Sequence, residues 1–290
     1  MLKLQKILLP VDFARSSAVL AHHARLLARP SNAEVIVLHA VRPVEMMAEG
    51  MDLPGAAVVE WYQMQRPRLE KQLEDFCREN LAGCRYRPML REGDAAGEII
   101  RVATEENADM VMISTHGYGI FRRFILGSVA AKVLHDCPVP VLSGVHIAEP
   151  TAHREVINRI LAAIDLGPQS SRVLSAAATL AAEFSATLTV LHVLPEPGDG
   201  IERFLDASWD AETTQLARNS VDQLLAGAGI PNAQVELVRG TPSHVVRQVA
   251  FDSGTNLVII GRQTDDTLFG RMRAQAYAIV RESPCPVLSV

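Results

Sequence analysis

An internal repeat restricts this chain to an architecture of two similar domains. Four segments of the first half return in the same order in the second half: residues 7–12 as 160–165, Leu38-His39 as Leu191-His192, Gly93 as Gly240, and Pro138 as Pro284. The offset is 153 residues for the first two (165 − 12 and 192 − 39), 147 for the third (240 − 93) and 146 for the fourth (284 − 138). Anchors in one order with a nearly constant offset indicate a duplicated domain of about 145 residues. We therefore predict two domains, residues 1–146 and 155–290.

Composition argues against nucleic-acid and membrane partners. The chain has 290 residues, of which 48% are hydrophobic and 21% charged, as in ordinary globular domains. A net charge of −5 gives no electrostatic reason to bind nucleic acid or an anionic membrane. The four cysteines show no C-x-x-C spacing, and the first residues lead into a predicted strand without a signal-peptide pattern. We therefore expect a cytoplasmic protein with reduced thiols.

Hydrophobic periodicity predicts an α/β fold in each half. In the first half we predict strands at 6–11, 34–40, 85–90, 110–114 and 139–142, and helices at about 16–29, 58–78, 95–107 and 128–135, with Ser16 or Ser17 as the first helix cap. In the second half we predict strands at 159–164, 187–193, 234–238, 256–261 and 286–290. Near-continuous apolar strands that alternate with helices indicate a doubly wound domain. We expect a five-stranded parallel sheet of order 3-2-1-4-5 in each half, with helices on both faces and pseudo-twofold symmetry between the halves.

This topology points to a candidate site. Doubly wound sheets bind ligands outside the carboxyl ends of the strands, where the strand order reverses. In the first half that place lies between residues 10–12, after strand one, and Ser114, at the end of strand four. Gly117 follows, and nine residues later Gly127 and Ser128 open a helix. Glycines that allow close approach and amides at a helix start suit a phosphate. An ordinary strand-to-helix connection with two turn glycines fits the spacing equally well.

The combined motifs resemble the universal stress protein family. They are Pro-Val-Asp after strand one, Leu-His in strand two, Gly-Asp before the third helix, Ser-x-x-Gly-x(9)-Gly-Ser after strand four, and Cys-Pro-Val-Pro-Val-Leu at the close of the first half. The resemblance covers nearly the whole chain, as a tandem of two domains. It implies that the first domain binds ATP, with AMP and ADP as alternatives and Mg²⁺ as a candidate accompanying ion. It assigns the phosphates to Ser114, Gly117, Gly127, Ser128 and Val129, with His116 within their reach, and adenine and ribose to Pro10, Val11, Asp12 and Ala40. The alternative role of Asp12 is to cap the following helix.

The second half departs from this pattern where phosphates would bind. In the aligned loop the counterparts of Gly117 and Gly127 are missing, and Gln275 stands where the first half has Ser128. Asp265 and Asp266 would repel a phosphate. Gly270 would restore one close approach if the loop is shifted. We expect a degenerate nucleotide loop in this domain.

Three functions are compatible with the sequence. The first is an ATP-binding stress-response or regulatory protein, with at most slow ATP hydrolysis and no assigned catalytic or metal-ligating residue. The second is a nucleotide-free scaffold that works by protein contacts. The third is an ATP-pyrophosphatase or adenylyl-transfer enzyme, a class that usually carries Ser-Gly-Gly-x-Asp-Ser after strand one, where this chain reads Val-Asp-Phe-Ala-Arg-Ser.

The last predicted strand of each half is an edge strand, and the two contain Pro140 and Pro286, which limit open-ended pairing. We expect the two halves to form an intramolecular pseudo-dimer, with a further homodimer left open. His39 and His192 lie near the ends of buried strands and are interpreted as satisfied core histidines.

Overall fold

The chain folds into two compact α/β units, one over Lys3–Pro150 and the other over Thr151–Val290. The computed structural model describes residues 4–41, 55–114, 126–144, 156–196, 207–262 and 271–290. In this part of the chain no helix is both long and apolar enough to cross a bilayer.

The first unit is a five-stranded parallel sheet with helices between the strands. Its elements in chain order are β1 (Lys6–Pro10), α1 (Arg15–Ala28), β2 (Glu34–Val41), α2 (Gly55–Asn80), β3 (Arg85–Glu92), α3 (Ala95–Glu105), β4 (Met110–Ser114), α4 (Ser128–Asp136) and β5 (Val141–Gly144). The strand order is β3-β2-β1-β4-β5, and the pairs within the unit are parallel. The predicted fold class and strand order are confirmed.

The second unit repeats this arrangement. Its elements are β6 (Arg159–Ile164), α5 (Ser170–Phe184), β7 (Thr187–Leu194), α6 (Ala207–Gly227), β8 (Gln234–Arg239), α7 (Pro242–Asp252), β9 (Leu257–Ile260), α8 (Arg271–Glu282) and β10 (Val287–Ser289). The strand order is β8-β7-β6-β9-β10, again with parallel pairs.

The core of each unit lies against its central strands. Ile7, Leu8 and Leu9 of β1 are fully buried although successive side chains point to opposite faces, so both faces of the sheet are covered. Helix α1 contacts α2, and α3 contacts α4. Right-handed crossovers require this grouping, with one pair of helices on each face.

The last strand of each unit begins later than predicted because of a proline. Pro140 accepts a hydrogen bond from Val111 N at 2.9 Å, and Pro286 accepts one from Val258 N at 3.0 Å. Neither proline has an N–H to return to the ladder. Strands β5 and β10 therefore start one residue after these prolines.

The amino end of the central strand is fixed by the same device in both units. Asp109 Oδ2 accepts hydrogen bonds from the backbone N–H groups of Gln5 and Lys6, at 2.6 and 2.8 Å. In the second unit Asn256 Oδ1 accepts from the backbone of residues 158 and 159, both at 2.9 Å. These bonds tie the start of the fourth strand to the start of the first, and so help to set where the carboxyl ends of the two strands lie.

The Gly-Asp motif before α3 is a helix cap that also contacts α4. Asp94 accepts from Gly97 N at 2.9 Å and from Lys132 Nζ at 3.2 Å. The hydrogen bond from Gly97 N, and to a lesser extent that from Lys132 Nζ, holds the pKa of the Asp94 carboxyl below its usual value. Gly93 has a φ of +156°, and a Cβ on it would lie 2.5 Å from Glu98 Oε1. A larger residue at this position would strain the backbone and would displace the Glu98 side chain.

No disulfide joins the four cysteines, all of which lie in described segments. Burial, assisted by the charge of Glu74, raises the pKa of the Cys77 thiol to about 12. Its thiolate is therefore scarce near neutral pH, and this thiol reacts slowly.

Replacing the α3 cap tests its contribution to stability. Asp94→Ala is expected to lower the free energy of unfolding by about 0.5–2 kcal/mol at neutral pH, because the amide of Gly97 loses its acceptor. The pKa of Asp94 is lower in the folded state, so its contribution is fully present above the ordinary pKa of aspartate. It is lost as the pH falls through the lower folded value. Urea unfolding of the unchanged protein and of Asp94→Ala from pH 7 to pH 2 measures the difference in their free energy of unfolding. A difference that stays constant over that range would contradict the prediction.

Candidate functional site

The predicted reversal of strand order lies between β1 and β4. These strands are neighbours in the sheet, and the chain leaves β1 toward β2 but leaves β4 toward β5. Pro10 is the last residue of β1, Ser114 is the last of β4, and Ala40 is the next-to-last of β2. All three are half-buried at the carboxyl edge of the sheet. The fold therefore brings these three predicted residues to one edge.

Asp12 shapes the turn that follows β1. Its Oδ1 accepts from Ala14 N at 3.0 Å and from Ser17 Oγ at 2.6 Å. Ser17 Oγ in turn accepts from Asp12 N at 3.2 Å. Ala14 is the N-cap residue of α1, and no side chain caps the first turn of this helix. The prediction of Ser16 or Ser17 as the cap is therefore wrong.

The alternative role of Asp12, to cap α1, is not what the structure shows: its Oδ1 accepts from the N–H of Ala14, the N-cap residue itself, and from the Ser17 hydroxyl, and from no N–H group of the first helical turn. These two bonds occupy one carboxylate oxygen. Asp12 is exposed, and its Oδ2 makes no hydrogen bond to the residues that the structure describes. That oxygen is therefore an acceptor without a partner among the described residues.

Phe13 adopts a left-handed backbone conformation, with φ of +60°. A bulky residue rarely does so, and the cost is about 1–2 kcal/mol. Its ring contacts the His39 ring at a centroid distance of 4.4 Å and the Phe76 ring at 6.1 Å. Such strained positions cluster at ligand sites. Phe13 was not among the predicted site residues, and only its place directly after Asp12 could have indicated it.

A shallow cavity of about 430 Å³ lies on the α2 side of Phe13. Its other lining residues all come from α2: Arg68, Lys71, Gln72, Asp75, Phe76 and Glu79. The sequence pattern did not predict it, and its lining mixes both signs of charge.

The start of α4 has a backbone and a charge pattern that suit an anion. Gly127 is its N-cap, with φ of −62° and ψ of 148°, and the first turn carries no acidic residue. The first N–H groups of a helix have no partner within it, and those of Ser128 and Val129 make no hydrogen bond to the residues that the structure describes. Ser128 is exposed, and its hydroxyl is not the helix cap. His116 and Gly117 lie outside the described residues, and their roles stay predictions.

The second unit repeats the turn around Asp165. Its Oδ1 accepts from Gly167 N at 2.8 Å and from Ser170 Oγ at 3.3 Å. Leu166 has a φ of +60°, as Phe13 does. Each of these residues is offset by 153 from its first-half counterpart (165 − 12, 167 − 14 and 170 − 17). The turn therefore forms in a unit whose loop lacks the glycine pattern, so it is a property of the fold.

The helix after β9 starts earlier than the repeat alignment predicts. Helix α8 begins at Arg271, four residues before Gln275 (275 − 271 = 4). The prediction of Gln275 at the helix start is therefore wrong. The connection has 10 residues between Ile260 and Arg271, against 13 between Ser114 and Ser128, so equal loop lengths cannot be assumed. Gly270 directly precedes α8 in the sequence; it lies outside the described residues, as do Asp265 and Asp266.

Gly261 follows β9 at the position equivalent to Ser114 (261 − 147 = 114). A Cβ on Gly261 would lie 3.0 Å from Gln169 Cβ and 3.4 Å from Val173 Cγ2. Close approach of α5 explains this glycine without a ligand. Because Ser114 does carry a Cβ, α1 must leave more room at the end of β4.

Comparison with known proteins identifies the family of both units. The family model for universal stress proteins matches residues 3–143 and again residues 157–290. The chain belongs to the universal stress protein family. It contains two universal stress domains in tandem, as the sequence motifs predicted.

Individual relatives match one domain or the whole tandem. Universal stress protein A homolog 1 of Coxiella burnetii is 29% identical over 135 residues, which are 45% of this chain and 94% of that protein. A universal stress protein of Methanocaldococcus jannaschii is 30% identical over 142 residues, 48% of this chain and 80% of that protein. The crystal structure of a universal stress protein from Archaeoglobus fulgidus covers 100% of this chain and 97% of its own, with a TM-score of 0.68 and 21% identity. At this identity the last match shows the fold alone.

Matched substitutions test the turn in both universal stress domains. Asp12→Ala and Asp165→Ala should each lower the free energy of unfolding by about 0.5–2 kcal/mol, because each removes the acceptor for a backbone amide and a serine hydroxyl. Asp12→Asn keeps an oxygen at Oδ1 and should therefore lower the free energy of unfolding by less than Asp12→Ala does. Urea unfolding measures all three. Equal losses for Asn and Ala at position 12 would show that these hydrogen bonds do not stabilise the turn.

Proposed function

We propose that the first universal stress domain binds ATP across the carboxyl ends of β1 and β4, with the triphosphate at the start of α4. The observation that carries this proposal is the N-terminus of α4, which follows Gly127 and has no acid in its first turn. A helix N-terminus offers unpaired N–H groups and a partial positive charge to an anion. Its place beside the reversal of strand order, where doubly wound sheets bind ligands, supports the same ligand.

The phosphates are assigned to the amides of Ser128 and Val129 and to the Ser128 hydroxyl. Gly127 lets the chain approach without a Cβ. Ser114, His116 and Gly117 complete this part of the proposed site. The ligand would add charge-assisted hydrogen bonds that a neutral molecule cannot form.

Adenine and ribose are assigned to the ends of β1 and β2. Asp12 Oδ2 is suited to accept from a ribose hydroxyl or the adenine amine, because Oδ1 is already bound within the turn. The N–H of Val11 donates to Leu38 O at 2.8 Å, and its carbonyl contacts His39. Val11 therefore shapes the pocket rather than offering its N–H, beside Pro10 and Ala40.

The proposed role is regulatory, in a stress response, with at most slow hydrolysis. Asp12 and His39, the titratable groups next to the end of β1, both hold the turn and are poorly placed to activate a water. Mg²⁺ usually binds to nucleotide phosphates with one or two carboxylates, and Asp12 is the proposed carboxylate. ADP and AMP would bind more weakly than ATP, since they make fewer contacts with the start of α4.

For the second domain we propose the loss of ATP binding. Its shorter connection contains Asp265 and Asp266, which would repel a triphosphate. The close approach of α5 to Gly261 leaves less room at the equivalent edge. This domain is the better candidate for protein contacts.

A charge at the first position of α4 tests the proposed phosphate site. Ser128→Asp should weaken ATP binding by about 100-fold or more, because a carboxylate would face the triphosphate. The same change should leave the fold as stable or raise its free energy of unfolding by about 0.3–1 kcal/mol, because acids at a helix N-terminus are favourable. Calorimetric titration with Mg·ATP and urea unfolding measure the two effects.

Ser128→Asn is the matched control, with the shape of the Asp variant and no charge. It loses the hydroxyl contact with the phosphates but adds no repulsion, so it should weaken ATP binding by about tenfold at most. Wild-type protein that binds neither ATP, ADP nor AMP would overturn the proposed function. Equal binding by the Asp and Asn variants would move the phosphates away from α4.

A further inference from the structure

Two histidines make the same hydrogen bond, one in each domain. His39 Nδ1 lies 2.8 Å from the carbonyl oxygen of Val11, and His192 Nδ1 lies 2.9 Å from that of Ile164. A carbonyl oxygen can only accept, so Nδ1 carries a hydrogen and donates in both cases. The sequence pattern indicated satisfied core histidines, and the structure shows what satisfies them.

This bond fixes the peptide group that joins Val11 to Asp12. The carbonyl of that peptide accepts from His39, and its N–H donates to Ser17 Oγ at 3.2 Å. Both polar atoms of the peptide are therefore held, directly before the Asp12 side chain. The direction of the Asp12 carboxylate depends on this peptide plane.

The His39 ring also supports the strained residue after Asp12. Its centroid lies 4.4 Å from that of Phe13, with the two rings inclined by 41°. A contact of this kind offsets part of the cost of the left-handed backbone at Phe13. His39 thus holds the turn on both sides of Asp12, through the carbonyl before it and the ring after it.

We propose that His39 is a positioning residue for the nucleotide site, which sets the direction of the Asp12 carboxylate toward the ribose and adenine of ATP. This inference rests on the proposed function. It adds a residue of β2 that need not touch the ligand and acts through Val11 and Phe13.

The duplication supplies the control that separates positioning from stability. His192 makes the same bond to the same kind of turn in the domain that is proposed not to bind ATP. It is 9% exposed, whereas His39 is half-buried. Loss of the bond should cost stability in either domain, but it should weaken ATP binding only in the first.

The experiment compares two substitutions at each histidine. Leucine removes the donor, whereas asparagine places an amide N–H near the position of Nδ1 and keeps it. His39→Leu should weaken Mg·ATP binding about tenfold, as expected for one lost hydrogen bond that orients a ligand group. His39→Asn should restore most of that loss. His192→Leu should leave ATP affinity within about twofold of the unchanged protein while it lowers the unfolding temperature.

Calorimetric titration and thermal unfolding give the two readouts. Wild-type affinity in His39→Leu, or an equal loss of affinity in His192→Leu, would overturn the inference. His39→Gln, whose amide reaches toward the position of Nε2 instead, replaces the leucine variant if that variant does not fold; equal affinities for Gln and Asn would then overturn it. Failure of the proposed function is distinguishable, because the wild-type protein itself would then not bind ATP.

Discussion

The parallel pairing of β1 with β2 on one side and β4 on the other is the constraint on which each domain depends. It places a fully buried strand at the centre of the sheet and makes the chain leave its two neighbours in opposite directions. The end of β1 then has to turn sharply into α1, and the Asp12 carboxylate, Ser17 and His39 hold that turn. The start of α4 is brought to the same edge by the crossover after β4. The location of the proposed site is thus set by the strand order, and individual side chains act within that location.

Comparison of the two domains distinguishes features that belong to the fold from features that a ligand would need. The Asp12 turn, the left-handed residue after it and the strand-end histidine recur at Asp165, Leu166 and His192. The same holds for the bonds that Asp109 and Asn256 make to the start of the central strand. These features persist where the glycine loop has changed, so they do not depend on the glycine pattern. The helix start after the fourth strand differs between the domains, and this difference falls at the proposed phosphate site.

Much of this fold was predictable. Hydrophobic periodicity indicates which positions are buried, and the repeat shows that the same elements occur in both halves. The alternation of strands and helices predicted a doubly wound parallel sheet. That fold then placed Pro10 and Ser114 at the carboxyl edge. The start of α8 was not predictable. Alignment of the two halves assumes that the connection before this helix is as long as its first-half counterpart, and the fold does not require equal lengths. The cap of α1 was misplaced because the helix begins after Ala14, whose side chain cannot cap, while Ser17 bonds instead to Asp12 in the preceding turn. Hydrophobic periodicity carries no information on these side-chain partners. The contact of Phe13 with His39 depends on a backbone conformation that sequence patterns assign to glycine.

The glycine after β9 has a consequence for attempts to rebuild a site in the second domain. A Cβ at residue 261 would lie 3.0 Å from Gln169 Cβ, at the start of α5, so this neighbour would have to give by a few tenths of an ångström to admit a side chain. Grafting residues 114–127 in place of 261–270 would supply the missing glycines, but the serine that it places at position 261 would press against Gln169 and Val173. A successful transplant would therefore have to shift that helix outward as well, which means redesigning its contacts with the sheet and not only exchanging a loop.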